Sequence, residues 1–100
     1  MKKQIALLLI VSMSSLLSAQ DNLLSQARAL FDSGKYSASQ SILDQFSISD
    51  RTAEIMYLNA RCSKELFLSD AISLYHDLNS AFPYHRFRDE VHKDLALIYF

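Results

Sequence analysis

The chain has 100 residues, half of them hydrophobic, with only one glycine, one proline and one cysteine. So few turn-forming residues exclude a fold of many strands and turns, and they predict an almost wholly helical protein. The formal net charge of −1 gives no electrostatic reason to expect a nucleic acid or an anionic membrane surface as a partner.

Residues 1–19 have the features of a secretory signal peptide. Lys2 and Lys3 precede an apolar run from Ile5 to Val11, and a serine-containing stretch ends at Ala19. An uncleaved membrane anchor is the alternative, but the core from Ile5 to Ala19 has 15 residues, four of them serines, and a spanning helix needs about 20 apolar residues. No cysteine lies near the cleavage region, so the sequence excludes a bacterial lipoprotein anchor. We therefore expect export to the bacterial periplasm or secretion, with membrane contact only through the signal segment.

Cleavage leaves residues 20–100, with eight basic and all eleven acidic residues, and hence a net charge of −3. A domain of about 80 residues buries only a modest core, and its single cysteine cannot form an internal disulfide. Cys62 follows Ile55 and Leu58 on one helical face, which predicts a buried free thiol. The alternative for an exposed odd thiol is pairing between chains.

Apolar residues recur at the helical period in five segments, which predict helices over residues 21–32, 36–47, 50–66, 69–82 and 89–100. Leu23, Ala27, Leu30 and Phe31 form one face of the first helix. Gly34 is expected to end that helix, because glycine takes the left-handed backbone conformation without a Cβ clash.

Charged residues mark the predicted helix starts. Asp50 is predicted to cap the third helix, with Glu54 in its first turn, and Asp89 and Glu90 begin the fifth helix. Pro83 ends the fourth helix. We interpret these acidic residues as favourable helix-start charges rather than as a general acid and base.

Small residues repeat with the helix pairs. Ala27, Ala60 and Ala96 each lie in the first helix of a predicted pair, at the spacing of tetratricopeptide repeats (TPRs). The matching residues are Leu23, Ala27, Leu30, Gly34 and Tyr36 in the first repeat, with Ser39 at the usual alanine position, and Leu58, Ala60, Ala71, Tyr75 and Pro83 in the second. The sequence thus resembles the TPR family over nearly all of the mature chain. The second copy departs from the family pattern in two ways. It has no turn glycine, and the segment between its helices is one residue shorter.

The resemblance implies an all-α fold in which antiparallel helix pairs stack as a TPR-like solenoid of about two and a half repeats. Residues 20–100 are then expected to be the opening part of a longer array. The reason is that Leu97 to Phe100 form an apolar terminus, whereas the end of a solenoid is normally polar. The alternative is that the fifth helix is a cap that docks on the fourth helix or on another copy of the chain.

The sequence contains no glycine-rich phosphate loop and no nucleophile motif. His85, Asp89 and His92 share one face only if the last helix begins before His85, and Pro83 argues against that. A zinc site normally needs three or four converging ligands. We therefore expect a non-enzymatic protein with no catalytic residues, no metal and no cofactor.

The predicted binding residues lie on the first helices of the repeats. By the family's pattern the residue after the small alanine faces the inner groove, which gives Arg28 and Arg61 equivalent positions. Tyr57 and Lys64 lie one turn to either side of Arg61, and together they form a basic and aromatic strip suited to carboxylates and peptide backbones. The alternative is that the cations pair on the surface with Asp32, Glu54 or Glu65. For Tyr57 the alternative to a binding role is aromatic packing within the fold. The helical spacing favours the same packing for Tyr75, Tyr84 and Tyr99.

The function predicted from these features is a non-enzymatic exported scaffold that mediates protein–protein interaction. Its partner is a protein or peptide, and the basic strip favours an acidic one. The junction from Phe82 to Glu90 resembles the repeat junctions of periplasmic proteins that serve outer-membrane assembly and cell-division coordination, which implies a role in cell-envelope assembly. The alternative is an N-terminal docking or regulatory domain of a larger enzyme or sensor whose active part lies beyond Phe100.

Overall fold

The computed structural model describes residues 19–99 of the chain. Within this range the α-helices are α1 (residues 19–32), α2 (Tyr36–Leu43), α3 (Ala53–Glu65), α4 (Ala71–Ala81) and α5 (Arg88–Tyr99). Residues 19–99 contain no strand, so the predicted all-α class is confirmed. None of the described helices is long and apolar enough to cross a membrane. Apart from Ala19, the predicted signal peptide lies outside the described residues, as does Phe100.

The second helix is shorter than the predicted range 36–47. It ends at Leu43, and the next amides form tight bonds, from Gln45 N–H to the Ile42 carbonyl (3.0 Å) and from Phe46 N–H to the Leu43 carbonyl (3.2 Å). This turn redirects the chain so that Phe46 is buried. Burial of a large aromatic outside the helix therefore outweighs continuation of the helical period.

The third helix begins later than the predicted residue 50, and Asp50 is not its cap. Asp50 ends a 3-10 turn, Ile48–Asp50, and accepts a hydrogen bond from Ser47 Oγ at 2.7 Å. Thr52 caps α3 instead, because its Oγ1 accepts from Ile55 N–H at 3.3 Å. Glu54 lies in the first turn, as predicted.

Two turns at matching positions of the helix pairs close α1 and α3 in the same way. Gly34 has φ +79°, its N–H donates to the Phe31 carbonyl (3.0 Å), and Lys35 N–H donates to the Leu30 carbonyl (2.8 Å). This pair of bonds is a Schellman motif, and the predicted role of Gly34 is confirmed. After α3 the same pair of bonds forms around Phe67, which has φ +57°: Phe67 N–H reaches the Lys64 carbonyl and Leu68 N–H the Ser63 carbonyl. A phenylalanine therefore occupies the glycine position of the second turn.

The first core cluster lies between α1, α2 and α3. Its buried residues are Ala27, Phe31, Leu43, Phe46, Ile55, Leu58 and Cys62. Cys62 is a free cysteine within this cluster, so the predicted buried thiol is confirmed. Desolvation raises the pKa of this thiol above its ordinary value, which leaves it protonated and unreactive.

The second core cluster lies between α3, α4 and α5. Its buried residues are Tyr57, Ala60, Tyr75, Leu78 and Val91. Because α3 supplies residues to both clusters, it is buried around most of its circumference. The burial pattern also repeats along the chain. The buried residues Ser39, Leu43 and Phe46 of the first half correspond in spacing to the buried residues Ala71, Tyr75 and Leu78 of the second.

Buried polar side chains connect the helices. Ser39, at the position where the TPR pattern has alanine, donates from Oγ to the Ala27 carbonyl of α1 at 2.7 Å. Gln40 Nε2 donates to Asn59 Oδ1 at 3.0 Å and to Ser63 Oγ at 2.7 Å, which ties α2 to α3. These bonds give the buried polar atoms partners and fix the orientation of α2.

Some repeat positions differ in their environment. Ala27 and Ala60 are fully buried, whereas Ala96 is exposed on α5. The predicted aromatic packing is confirmed for Tyr57 and Tyr75 but is wrong for Tyr84 and Tyr99, which are largely exposed. Tyr84 lies in the turn after α4 rather than on a helix, so helical spacing does not govern where it points.

Candidate peptide-binding site

Arg28 is occupied by an ion pair. Its Nε and Nη2 donate to the two carboxylate oxygens of Glu54, each at 2.6 Å, in a bidentate arrangement between α1 and the first turn of α3. The hydrogen bonds from Arg28 lower the pKa of Glu54, and the same contact raises the pKa of Arg28. Arg86 Nη2 lies 3.7 Å from the same carboxylate. Glu54 therefore neutralises Arg28, as the surface-pair alternative predicted.

Arg61 is held by aromatic rings. Its Cζ lies 4.6 Å from the ring centroid of Phe31 on α1 and 5.7 Å from that of Tyr57 on α3. The Nε atom is buried and has no hydrogen-bond partner among the described residues. Cation–π contacts stabilise such a guanidinium without satisfying its N–H donors. Arg61 is therefore a positioned cation with an unused donor.

Tyr57 forms the aromatic wall beside Arg61. It is only 8% exposed, and its ring stacks on Phe87 with centroids 4.3 Å apart and an interplanar angle of 10°. Arg86 extends this layer, with Cζ 4.7 Å from the Phe87 centroid. Desolvation raises the pKa of the Tyr57 hydroxyl, so it stays protonated at neutral pH. These contacts fix the ring against which Arg61 lies.

Lys64 points toward α5 and is engaged there. Its Nζ lies 3.2 Å from Asp94 Oδ1 and 3.5 Å from Glu65 Oε1. The other oxygen of Asp94 accepts a hydrogen bond from the Tyr75 hydroxyl at 2.7 Å. Both Asp94 and Tyr75 are buried, and the hydroxyl pKa of Tyr75 is strongly raised by desolvation and by this bond. Lys64 therefore joins α3, α4 and α5 internally.

The four predicted site residues thus have different environments. The structure brings Arg61 and Tyr57 together, whereas the ion pairs with Glu54 and Asp94 hold Arg28 and Lys64. Among the three cations, only Arg61 lacks an ion pair within residues 19–99.

Three residues of this surface were missed by reasoning from the sequence. They are Phe31, Arg86 and Phe87. The apolar pattern assigns Phe31 to the core face of α1, and it is indeed buried, but one ring face also supports Arg61. Arg86 and Phe87 lie in the connection before α5, and their basic-aromatic pairing is the one signal that points to them.

The side chains that could bind a metal ion lie apart from one another. Within residues 19–99 no three His, Cys, Asp or Glu side chains come together as a metal site. His85 contacts Asn79 and the backbone at Phe87, and Cys62 lies in the core. The arrangement around Arg61 presents a cation to a hydrogen-bond acceptor.

Comparisons with known proteins give no relative. No protein-family model, no curated protein and no solved structure matches the chain.

Proposed function

We propose that this chain is an exported, non-enzymatic TPR-like scaffold of the bacterial cell envelope, and that it holds a protein partner through an acidic segment. The observation that carries the binding role is Arg61, a guanidinium that lies against Phe31 and Tyr57 and that, unlike Arg28 and Lys64, has no ion pair within residues 19–99. A carboxylate is the acceptor that best matches a guanidinium, because the bond is charge-assisted and bidentate.

The scaffold part of the proposal rests on repetition within the fold. The Schellman turns at Gly34 and Phe67, the buried Ala27 and Ala60, and the buried positions of α2 and α4 each recur once per helix pair. This recurrence supports a repeat architecture, whose units bury their apolar faces by stacking and leave a long rigid surface for a partner. The mature chain has a net charge of −3, so the protein as a whole does not attract nucleic acid. Arg61 would therefore recognise its partner by short-range contact.

Binding of a labelled peptide tests the proposal on the full chain. The probe is a short peptide that alternates glutamate and alanine, and a second probe replaces every glutamate by glutamine. We expect the acidic probe to bind and the glutamine probe not to bind. Arg61→Met should weaken binding by about tenfold or more, because a hydrogen bond to a charged group contributes roughly 1.5–3 kcal/mol. Fluorescence anisotropy of the labelled probes measures the difference between the two probes and the effect of Arg61→Met.

Arg28→Met is the matched control, since it removes the same charge from the equivalent repeat position. Arg28 is already paired with Glu54, so this variant should keep the affinity within about threefold. Equal losses in the two variants would mean that net charge alone attracts the probe. Equal binding of the acidic and glutamine probes would reject recognition of carboxylates.

A further inference from the structure

A second arginine contacts the ring stack beside Arg61. The ring centroid of Tyr57 lies 5.7 Å from Arg61 Cζ and 4.3 Å from the centroid of Phe87. Arg86 lies on Phe87, with Cζ 4.7 Å from the ring centroid. Two cations and two rings thus form one continuous set of contacts between α3 and the connection before α5. We call these four side chains the arginine–aromatic layer: Arg61, Tyr57, Phe87 and Arg86.

Arg86 has only a weak partner within the fold. Its Nη2 lies 3.7 Å from Glu54 Oε2, which is too long for a hydrogen bond. Arg28 already donates to both oxygens of that carboxylate at 2.6 Å, so Glu54 is held on the side of α1. The Arg86 side chain is 73% exposed. Its guanidinium is therefore accessible to an acceptor from outside the chain.

The charge of the layer favours an acidic occupant. Glu54 offsets the charge of Arg28 through their bidentate pair, whereas Arg61 and Arg86 place two positive charges against aromatic rings. The mature chain as a whole carries a charge of −3, so this concentration of positive charge is local. Electrostatic complementarity of this kind selects between partners more than it adds to affinity.

Two carboxylates of α5 also act on Tyr57, and each of them has a lysine partner. Lys93 Nζ lies 3.6 Å from Glu90 Oε1, and Lys64 Nζ lies 3.2 Å from Asp94 Oδ1. These lysines offset the negative charge beside the layer. The two arginines of the layer therefore remain available to carboxylates of a partner.

The contacts within the layer limit how far apart its cations can lie. The two centroid-to-cation distances and the ring separation allow at most about 15 Å between the guanidinium carbons, and an extended chain rises about 3.3 Å per residue. Side chains at positions i, i+2 and i+4 of an extended segment point to the same face. Two carboxylates at one of these spacings can therefore reach both arginines at once.

We propose that Arg86 is a second specificity-determining residue of the site, and that the partner is an extended segment whose two carboxylates bind Arg61 and Arg86 simultaneously. The inference rests on the proposed function, because Arg61 provides the first contact. Tyr57 and Phe87 position the two cations, and Glu54 keeps Arg28 out of the site. The site thus recognises the spacing of the acidic residues as well as their charge.

Labelled peptides that differ only in the number and spacing of glutamates test the inference on the full chain. In a background of glutamine and serine, one probe has a single glutamate and two probes have a pair, at i and i+2 or at i and i+4. We expect one of the paired probes to bind the parent about fivefold more tightly than the single probe, which is the most that an exposed ion pair contributes. Fluorescence anisotropy gives each dissociation constant.

Arg86→Met should abolish this gain. Its unbranched apolar side chain still covers Phe87, so the variant should fold like the parent. It should bind all three probes within about twofold of one another, since the second glutamate then only duplicates the first. Arg61→Met should instead weaken binding of every probe.

Arg88→Met is the matched control, because it removes the same charge from an exposed side chain two residues along, at the start of α5. It should keep the gain. Equal loss of the gain in Arg88→Met would overturn the inference in favour of net charge, and paired probes that bind the parent no better than the single probe would also overturn it. The Arg61 proposal stands in both cases if Arg61→Met weakens the single probe. If no probe binds the parent, the Arg61 proposal fails, and this inference fails with it.

Discussion

Ala60 is fully buried in the cluster formed by α3, α4 and α5, where it lies with Tyr75, Leu78 and Val91. A larger side chain would force these helices apart, because a well-packed interior has no space for extra methylene groups. We expect Ala60→Leu to destabilise the protein by about 1–3 kcal/mol. Chemical denaturation followed by circular dichroism measures this change.

The exposed Ala96 provides the matched control for Ala60. Ala96→Leu adds the same atoms to a helix without entering the core, so its stability should remain within about 0.5 kcal/mol of the parent. If both variants have the same free energy of unfolding as the parent, Ala60 does not lie at a tight helix contact.

Single residues also show where reasoning from the sequence fails. The apolar face of the third helix predicted the burial of Cys62, because the helical period states which residues share a face. The repeat register assigned Arg28 and Arg61 the same role, yet the first is paired with Glu54 and the second lies against Phe31. Each of those partners lies on a different helix from its arginine, so the difference depends on how α1 packs on α3.

At the scale of elements, the start of α5 depends on a neutral histidine. His85 is buried, and its Nδ1 accepts a hydrogen bond from Phe87 N–H at 3.1 Å. Nε2 therefore carries the proton and donates to Asn79 Oδ1 at 2.8 Å. Burial, together with the nearby charges of Arg88 and His92, lowers the pKa of His85. A proton on Nδ1 would abolish the bond to Phe87.

This geometry predicts a pH dependence of stability. Because the folded pKa is lower than the unfolded value of about 6.5, the unfolded chain binds more protons near that pH. The contribution of His85 is thus fully present above about pH 6.5 and is lost as the pH falls through the folded pKa. We expect the melting temperature of the parent to fall between pH 7.5 and pH 5 by more than that of His85→Gln.

His76→Gln is the control for the pH series, since His76 is exposed on α4 and is not among the charges that lower the pKa of His85. It should follow the parent protein. The Arg28–Glu54 pair does not interfere, because Arg28 lowers the pKa of Glu54 and the pair is the same in the parent and in both variants. Parallel curves for the parent and His85→Gln would show that His85 does not support α5.

The sequence predicted the five helices and their order, but it placed several ends wrongly. The helical period continues past Leu43, and only the burial of Phe46 in the tertiary core shows why the chain turns there. The end of α3 was predicted to within one residue, but the Schellman turn that follows it was not, because a phenylalanine at φ +57° contradicts the local preference that identifies Gly34. Local propensities thus predict an element, and long-range packing decides its limits.

At the scale of the whole molecule, the predicted export has a direct test. If residues 1–19 are a signal peptide, the exported protein should begin at Gln20 or Asp21, following cleavage after Ala19 or Gln20. Intact-mass measurement of the protein from the periplasm or the medium identifies the first residue. A mature protein that still contains Met1 would contradict this assignment and favour an uncleaved anchor.

The contribution of α3 to both core clusters makes folding of the two halves interdependent. Ile55 and Leu58 face one cluster while Tyr57 and Ala60 face the other, so neither half retains its core if α3 unwinds. We expect the other helices to open locally, and the amides of α3 to exchange with solvent only when residues 19–99 unfold together. We therefore expect a protease to cut in α1 or α5 more readily than in α3.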